Sequence, residues 1–268
     1  MPHTERPAIP ADIAIAADTL SAIAAETLSR LREARPRVHC ITNAVAQAFS
    51  ANVLLAAGAV PSMTIDAEEV ADFVAGADAL LINLGTLDAA RRAAAEIAVE
   101  TAADNGKPWV LDPVFIDRTP RRAAYARTFA GARPRAIRCN RAEFAALAGV
   151  TPEGGALARY ALDTGAVIGL TGPVDLVTDG TRLVAIANGD PLMTRITAMG
   201  CAASALVAAA LAVADDAWAA TAAALLWLGV AGDIAAKTAS GPGSLAVGIL
   251  DALHRLDADA LITHARVT

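Results

Sequence analysis

The stretch Ile196-Thr197-Ala198-Met199-Gly200-Cys201-Ala202-Ala203-Ser204 runs from polar residues through a glycine into a long row of small residues. That pattern predicts a helix starting near Gly200. The first turn of a helix presents unpaired backbone N–H groups and a partial positive charge, which suit phosphate oxygens. Gly200 would let a phosphoryl group come close to the backbone. Cys201 would sit in that positive field, which lowers a thiol below its ordinary pKa of about 8.5 and makes it a candidate base. The competing reading is a turn glycine followed by a small buried cysteine.

Other candidates stand just after apolar runs. Asp112 follows Trp109-Val110-Leu111, where a carboxylate is placed to organise magnesium directly or through water; Asp-Pro is also a common turn pair. Asn140 and Glu143 have the spacing of a capping box, and that geometry is compatible with Glu143 near the water shell of a metal. Arg138 carries a planar fork suited to phosphates, and Thr171-Gly172 ends the apolar run Ala166–Leu170. Asn43, Met63 and Asn83-Leu84-Gly85-Thr86 end three earlier runs. Asparagine suits the orientation of a small polar heterocycle, and methionine suits a soft flat ring; core packing competes at each. His39, inside a strand, reads as a hydrogen-bonded core residue. Neither a Gly-x4-Gly-Lys-Ser/Thr loop nor a Gly-x-Gly-x-x-Gly turn is present, so a nucleotide must bind by other means.

The elements that position these residues alternate. A helix is expected over Asp12–Arg35, then a strand Val38–Ile41. A helix capped by Thr42-Asn43 runs to Ala57, and Ala59-Val60 begin a short strand. Asp66 opens a further helix, with Glu68 and Glu69 in its first turn, where anions favour the dipole. Ala79–Asn83 is a continuous apolar strand of the kind buried on both faces. Helix then follows over about 88–104, with strands at 109–111, 136–137 and 166–170, two strands around the turn Asp179-Gly180, and helices from Gly200 onward. Strands alternating with helices imply an α/β fold with a mostly parallel sheet and helices on both faces. In such sheets ligands lie beyond the carboxyl ends of the strands. No linker or repeat divides residues 1–268, so one domain is expected, with residues 1–10 as a flexible arm.

Composition narrows the classes. Hydrophobic residues are 55 % and charged residues 19 % of 268, a balance that predicts a packed core throughout. The formal net charge of −6 and the absence of a basic block argue against a nucleic-acid partner. Ala202–Ala214 is too short to span a membrane; Ala217–Gly232 is mostly alanine and interrupted, so both read as core helices. Met1–Ile9 lacks an apolar signal core. Cys40, Cys139 and Cys201 are odd in number and widely spaced, which predicts a reducing, cytoplasmic setting.

Taken in order, these pieces form a pattern. Val38 to Asn43, Ala51-Asn52 through Met63, Ala79 to Leu87, Leu111 to Val114, Ala136 to Asn140 with Glu143, Val177 to Gly180, Asn188 to Leu192, Gly200-Cys201 and Gly241 to Ser244 together resemble the hydroxyethylthiazole kinase family. The resemblance covers nearly all of the chain after residue 35. It implies a ribokinase-like three-layer sandwich and phosphorylation of the alcohol of hydroxyethylthiazole by ATP in thiamine salvage. It also implies a homotrimer with the thiazole site near a subunit boundary. By position, Met63, Asn43 and Ala198 would contact the alcohol, Arg138 and Thr171 the ATP, and Asp112 and Glu143 the Mg2+. Gly200 and Cys201 would be catalytic, Cys201 standing where most of the superfamily carries an aspartate. The chain departs from the family pattern where that pattern has Gly-Thr-Gly-Cys, Arg-Gly-Asn and Thr-Gly-Glu. Here the residues are Ala198-Met199-Gly200-Cys201, Arg138-Cys139-Asn140 and Thr171-Gly172-Pro173. Asp117 and Asp175 are candidate replacements for the carboxylate absent at Pro173. The rival expectations are a non-catalytic thiazole- or thiamine-binding relative, a kinase for another small alcohol such as hydroxymethylpyrimidine or a sugar, and the related repair dehydratase for hydrated nicotinamide nucleotides.

Overall fold

A computed structural model of the chain describes residues 17–153 and 155–268; the expected arm at 1–10 and the start of the first helix at Asp12 lie outside them. The strands are β1 (Arg37–Ile41), β2 (Val60–Ser62), β3 (Ala79–Asn83), β4 (Trp109–Asp112), β5 (Ala136–Asn140), β6 (Val167–Thr171), β7 (Asp175–Thr178) and β8 (Leu183–Ile186). They form one sheet in the order β2-β1-β3-β4-β5-β6-β7-β8. The first six are parallel, and β7 and β8 join as an antiparallel edge hairpin.

Period-two alternation assigns the two faces of the sheet. Val38, Cys40, Ala79, Leu81, Val110, Ala136 and Val167 point to one side. There they meet α1 (Ala17–Ala34), α2 (Gln47–Ala57), α8 (Met199–Leu211), α9 (Ala217–Ala236), α10 (Pro242–Arg255) and α11 (Ala258–His264). Ile41, Leu80, Ile82, Trp109, Leu111, Ile137, Ile168 and Leu170 point to the other. There they meet α3 (Val70–Ala75), α4 (Ala89–Asp104), α5 (Pro120–Gly131), α6 (Arg141–Ala148) and α7 (Ala156–Thr164). The expected three-layer α/β sandwich is therefore present. The same alternation turns Asn83, Asp112, Arg138 and Thr171 toward the α8 face and His39 toward the α3 face.

Alanine-rich α8 and α9 are buried almost throughout. By length and apolar composition α9 would pass for a membrane span, yet it lies within the core. The core's two large anchors keep their polar atoms satisfied, as buried tryptophans generally must: Trp218 Nε1 donates to the Val177 carbonyl at 3.1 Å and Trp227 Nε1 to the Ala24 carbonyl at 3.0 Å. All three cysteines are buried and free.

Two expected helix starts are corrected. α2 begins at Gln47 after an Ala46 that makes no side-chain cap. The Asn43 side-chain carbonyl instead accepts from Val45 N at 3.1 Å and from the Thr86 hydroxyl at 2.8 Å, which commits it to a turn. α3 begins at Val70 rather than Asp66. Asp66 closes a local turn by accepting from Glu68 N at 2.9 Å, and Glu69 accepts the Thr64 hydroxyl.

Candidate active site

The carboxyl ends of β2, β1, β3, β4, β5 and β6 lie side by side along one edge of the sheet. In spatial order they bring up Met63, Asn43, Asn83 with Thr86, Asp112, Arg138 with Asn140, and Thr171. Five inter-strand steps of about 4.8 Å make this row about 24 Å long. That is enough to seat a small alcohol at one end and a nucleotide at the other.

Asp112 is the centre of the row. It is fully buried at the end of β4. Its Oδ2 accepts from Asn83 Nδ2 at 2.6 Å and from the Ser204 hydroxyl at 2.8 Å. Its Oδ1 has no hydrogen-bond partner among the described residues and lies 3.9 Å from Arg138 Nη1. Burial raises this carboxyl to about 7; the Arg138 charge, Ser204 and Asn83 hold it down, while Glu143 pushes it up. A buried acceptor with a spare oxygen is costly to leave unmatched and is suited to a cation or a proton.

Ser204 escaped the sequence reading. Its signal was a hydroxyl in an otherwise apolar helix, one turn after Gly200. Asn83, expected to orient a heterocycle, instead holds Asp112, and its own side-chain carbonyl accepts from Gly85 N at 2.9 Å.

Glu143 is the N3 member of a complete capping box with Asn140. Its Oε2 accepts from Asn140 N at 2.9 Å and its Oε1 from Phe115 N at 3.2 Å. It thus ties the start of α6 to the loop after β4, beside Asp112. Asp175 turns back to accept from Gly172 N at 2.8 Å, and burial raises it to about 6 while the Gly172 bond and the Arg138 charge lower it. Asp117 pairs with its neighbour Arg118 at 3.3 Å.

Arg138 crosses from β5 to the first turn of α8. Its Nη2 donates to the Thr171 hydroxyl, its Nε is buried without a partner among the described residues, and a Cβ placed on Gly200 would lie 2.5 Å from its Nη1. A larger residue at position 200 would therefore move the guanidinium from its present place. The space expected to receive a phosphoryl group at Gly200 is thus shared with Arg138. The turn itself is made by Ala198, whose φ of +69° is a left-handed conformation unusual for a residue with a Cβ.

Cys201 packs with Ala46, Val114 and Ala198. The expectation of a field-lowered thiol is corrected. Burial, aided by the Asp112 charge, pushes Cys201 up to about 12, against the opposing pull of Asn83 and Arg138. Cys201 is itself buried although the turn before it is only half-buried, and desolvation is the largest cause of the rise.

At the other end of the row, Met63, Thr64, Ile65, Asp66, Ala67 and Glu69 face Ala90 and Ala93 across a groove of about 660 Å3. His39 lies beneath, its Nδ1 2.8 Å from the Ser62 hydroxyl and its Nε2 3.1 Å from the Thr64 carbonyl, as the core reading expected.

The chain is similar to known proteins along most of its length. The model of the hydroxyethylthiazole kinase family matches residues 28–259. A probable hydroxyethylthiazole kinase of Agrobacterium fabrum is 44 % identical over 248 residues, covering 92 % of this chain and 95 % of that one. A hydroxyethylthiazole kinase of Cereibacter sphaeroides is 46 % identical over 253 residues, covering 90 % and 96 %. The solved structure of the hydroxyethylthiazole kinase protein from Pyrococcus horikoshii superposes with a TM-score of 0.88 at 38 % identity, over 92 % of this chain and 98 % of that one. A pyridoxal kinase from Staphylococcus aureus, in complex with AMP-PCP and pyridoxal, has a TM-score of 0.66 at 15 % identity over 87 % and 97 %, a likeness of fold alone. The chain belongs to the hydroxyethylthiazole kinase family.

Proposed function

We propose that this chain transfers the γ-phosphoryl group of ATP to the hydroxyl of 4-methyl-5-(2-hydroxyethyl)thiazole, the phosphorylation step of thiamine salvage. One observation carries the reading. Asp112, with its unpartnered Oδ1, sits midway along the row of strand ends, between the Met63 groove and the Arg138–Thr171 pair, and Ser204 ties it to α8. The alcohol is assigned to the Met63–Asn43 end, with Ala198 and Cys201 as its walls, and ATP to the Arg138–Thr171 end. The substrate oxygen forms a bond to the γ-phosphorus as the bond from that phosphorus to the β,γ-bridging oxygen breaks, ADP leaves, and the hydroxyl proton passes to an oxygen of the transferred phosphoryl group.

Such a transfer asks the protein mainly for positioning and charge neutralisation. The α8 N-terminus with Gly200, and the Arg138 guanidinium, converge as two positive sources on the transferring phosphoryl oxygens. Cys201, held protonated, lines the site without taking the hydroxyl proton.

Magnesium fits as a partner of the nucleotide. Among the described residues no three His, Cys, Asp or Glu side chains converge on one point. Mg2+ is commonly held by one or two carboxylates together with substrate phosphates. Asp112 Oδ1 is the protein oxygen suited to it, with Glu143 reaching its water shell; the ion would neutralise phosphate charge.

We further assign the chain to the cytoplasm as a homotrimer, acting as one domain. The exposed apolar side chains of Val60 on edge strand β2 and Leu55 on the preceding helix favour a subunit contact beside the Met63 groove.

ADP release coupled to a panel of small alcohols tests the reading. Turnover with the thiazole alcohol ahead of hydroxymethylpyrimidine and sugars is expected. No ADP release with any alcohol, with calorimetric binding of the thiazole alone, would replace catalysis by ligand holding.

A further inference from the structure

β2 is the edge strand, three residues long, and among the described residues β1 is its sole neighbour in the sheet. The ladder between them ends at the pair His39–Ser62. Beyond that pair, Met63 and the turn that rims the groove have no strand partner among the described residues. The His39 side chain takes over where the ladder stops. The Thr64 carbonyl can only accept, so Nε2 carries the proton and Nδ1 accepts from the Ser62 hydroxyl. The two ring nitrogens thereby grip the residues immediately before and after Met63.

The grip is rigid because its base is buried. His39 has no exposed surface and packs against Phe73 of α3, with ring centroids 5.8 Å apart. Thr64 extends the grip by donating its hydroxyl to Glu69, and Asp66 N donates back to the Thr64 hydroxyl at 3.3 Å. One imidazole thus sets both the height of Met63 and the path of the groove wall.

We propose that His39 is a positioning residue for the alcohol substrate. It acts from the α3 face of the sheet, fixing Met63 and the 64–69 wall without touching the reacting atoms. The inference rests on the reading of Met63 as a substrate contact. Fixing a binding wall changes how well the alcohol is held and leaves the nucleotide end, four strands away, untouched.

The test compares steady-state constants of His39→Leu, His39→Gln and Ser62→Ala, with 4-methyl-5-(2-hydroxyethyl)thiazole as probe and calorimetry for its direct binding. Two reference variants accompany them. Met63→Ala reports whether that side chain contacts the alcohol at all. Arg32→Ala removes the guanidinium that binds the carbonyls of Leu253, His254 and Leu256, a stability loss on the helical face.

His39→Leu and Ser62→Ala should raise KM for the alcohol roughly tenfold, with KM for ATP and kcat within about twofold. His39→Gln, which keeps one acceptor and one donor, should recover part of the loss. Arg32→Ala should lower Tm and leave KM for the alcohol unchanged. Ser62→Ala, outside the core, keeps the test decisive if His39→Leu fails to fold. An unchanged KM in His39→Gln and Ser62→Ala beside a raised KM in Met63→Ala overturns the positioning role alone. An equal rise in Arg32→Ala also overturns it, by making the effect one of general stability. An unchanged KM in Met63→Ala overturns both the positioning role and the substrate contact beneath it.

Discussion

Replacing Cys201 by alanine separates two mechanisms that the sequence leaves open. With burial holding the thiol near 12, only roughly 10⁻⁵ of it is ionised at pH 7, five pH units below that value. A protonated thiol accepts no proton, so Cys201→Ala should remove only a small, nearly buried side chain beside Ala46, Val114 and Ala198. Turnover should stay within about tenfold of the parent, well short of the roughly 10²–10⁴-fold attached to a general base. The pH profile distinguishes the cases further. A thiolate base near 12 would make kcat/KM rise tenfold per pH unit across the neutral and alkaline range, and alanine would flatten that slope. Measuring kcat/KM from pH 6 to 9 for the parent, Cys201→Ala and Cys201→Ser gives both readouts. A loss above a hundredfold together with a flattened slope would refute the claim that Cys201 takes no proton, and a parent profile that levels off below pH 8 through a group lost in Cys201→Ala would refute the argument that desolvation governs this thiol.

Other perturbations address different parts of the chain. Arg138→Lys keeps a charge but loses the fork spanning Thr171 and Asp112, so KM for ATP should rise about tenfold or more while KM for the alcohol stays within twofold. Ala198→Gly relieves a left-handed φ and should stabilise the fold by up to about 1 kcal/mol in urea titration, after glycine's greater unfolded-state entropy is set against the relief. Although burial pushes Asp179 up, bonds from the Arg182 and Thr181 N–H groups and the Arg182 guanidinium bring it down to about 2; Asp216 is lowered chiefly by its bonds to Arg182. A depressed carboxyl stabilises fully above its unfolded pKa near 3.8 and loses that contribution as pH falls through about 2, so Arg182→Met should flatten the acid limb of Tm between pH 4 and 2.

The sheet is legible in the sequence because its strands are buried on both faces. Ala79–Asn83 is apolar at four consecutive positions, and a polar residue at the carboxyl end of such a run has few places to go except the edge of the sheet. The amino-acid order alone therefore aligns Asn43, Met63, Asp112, Arg138 and Thr171 along one edge. Local pattern misleads where one side chain has two uses. Asn43 and Asp66 look like helix caps, yet their acceptors are taken by Val45, Thr86 and Glu68, so both helices start later. It misleads again at Cys201, since a helix terminus announces its field in the sequence while the depth of its burial depends on residues far away in the chain. Ser204 is hidden for the same reason: its partner Asp112 lies 92 residues earlier.

Two positions in the same turn show how differently a glycine can be required. Gly200 lies inside α8, where any residue fits the backbone, and leaves room for the Arg138 guanidinium, which an added Cβ would meet at 2.5 Å and push aside. Residue 198 has the left-handed backbone that favours glycine, and the family pattern places one there, yet this chain carries alanine. Conformational strain of about 1–2 kcal/mol is tolerable to a fold with so large a buried core. A side chain at 200 acts instead on the Arg138 guanidinium, which must move to admit it. It would displace the arginine from both Thr171 and the neighbourhood of Asp112, removing one of the two positive sources aimed at the phosphoryl group and leaving a buried carboxyl without its nearest cation. The steric glycine is thus bound to the chemistry of the site, whereas the conformational one is bound only to stability, and this chain has given up the second while keeping the first.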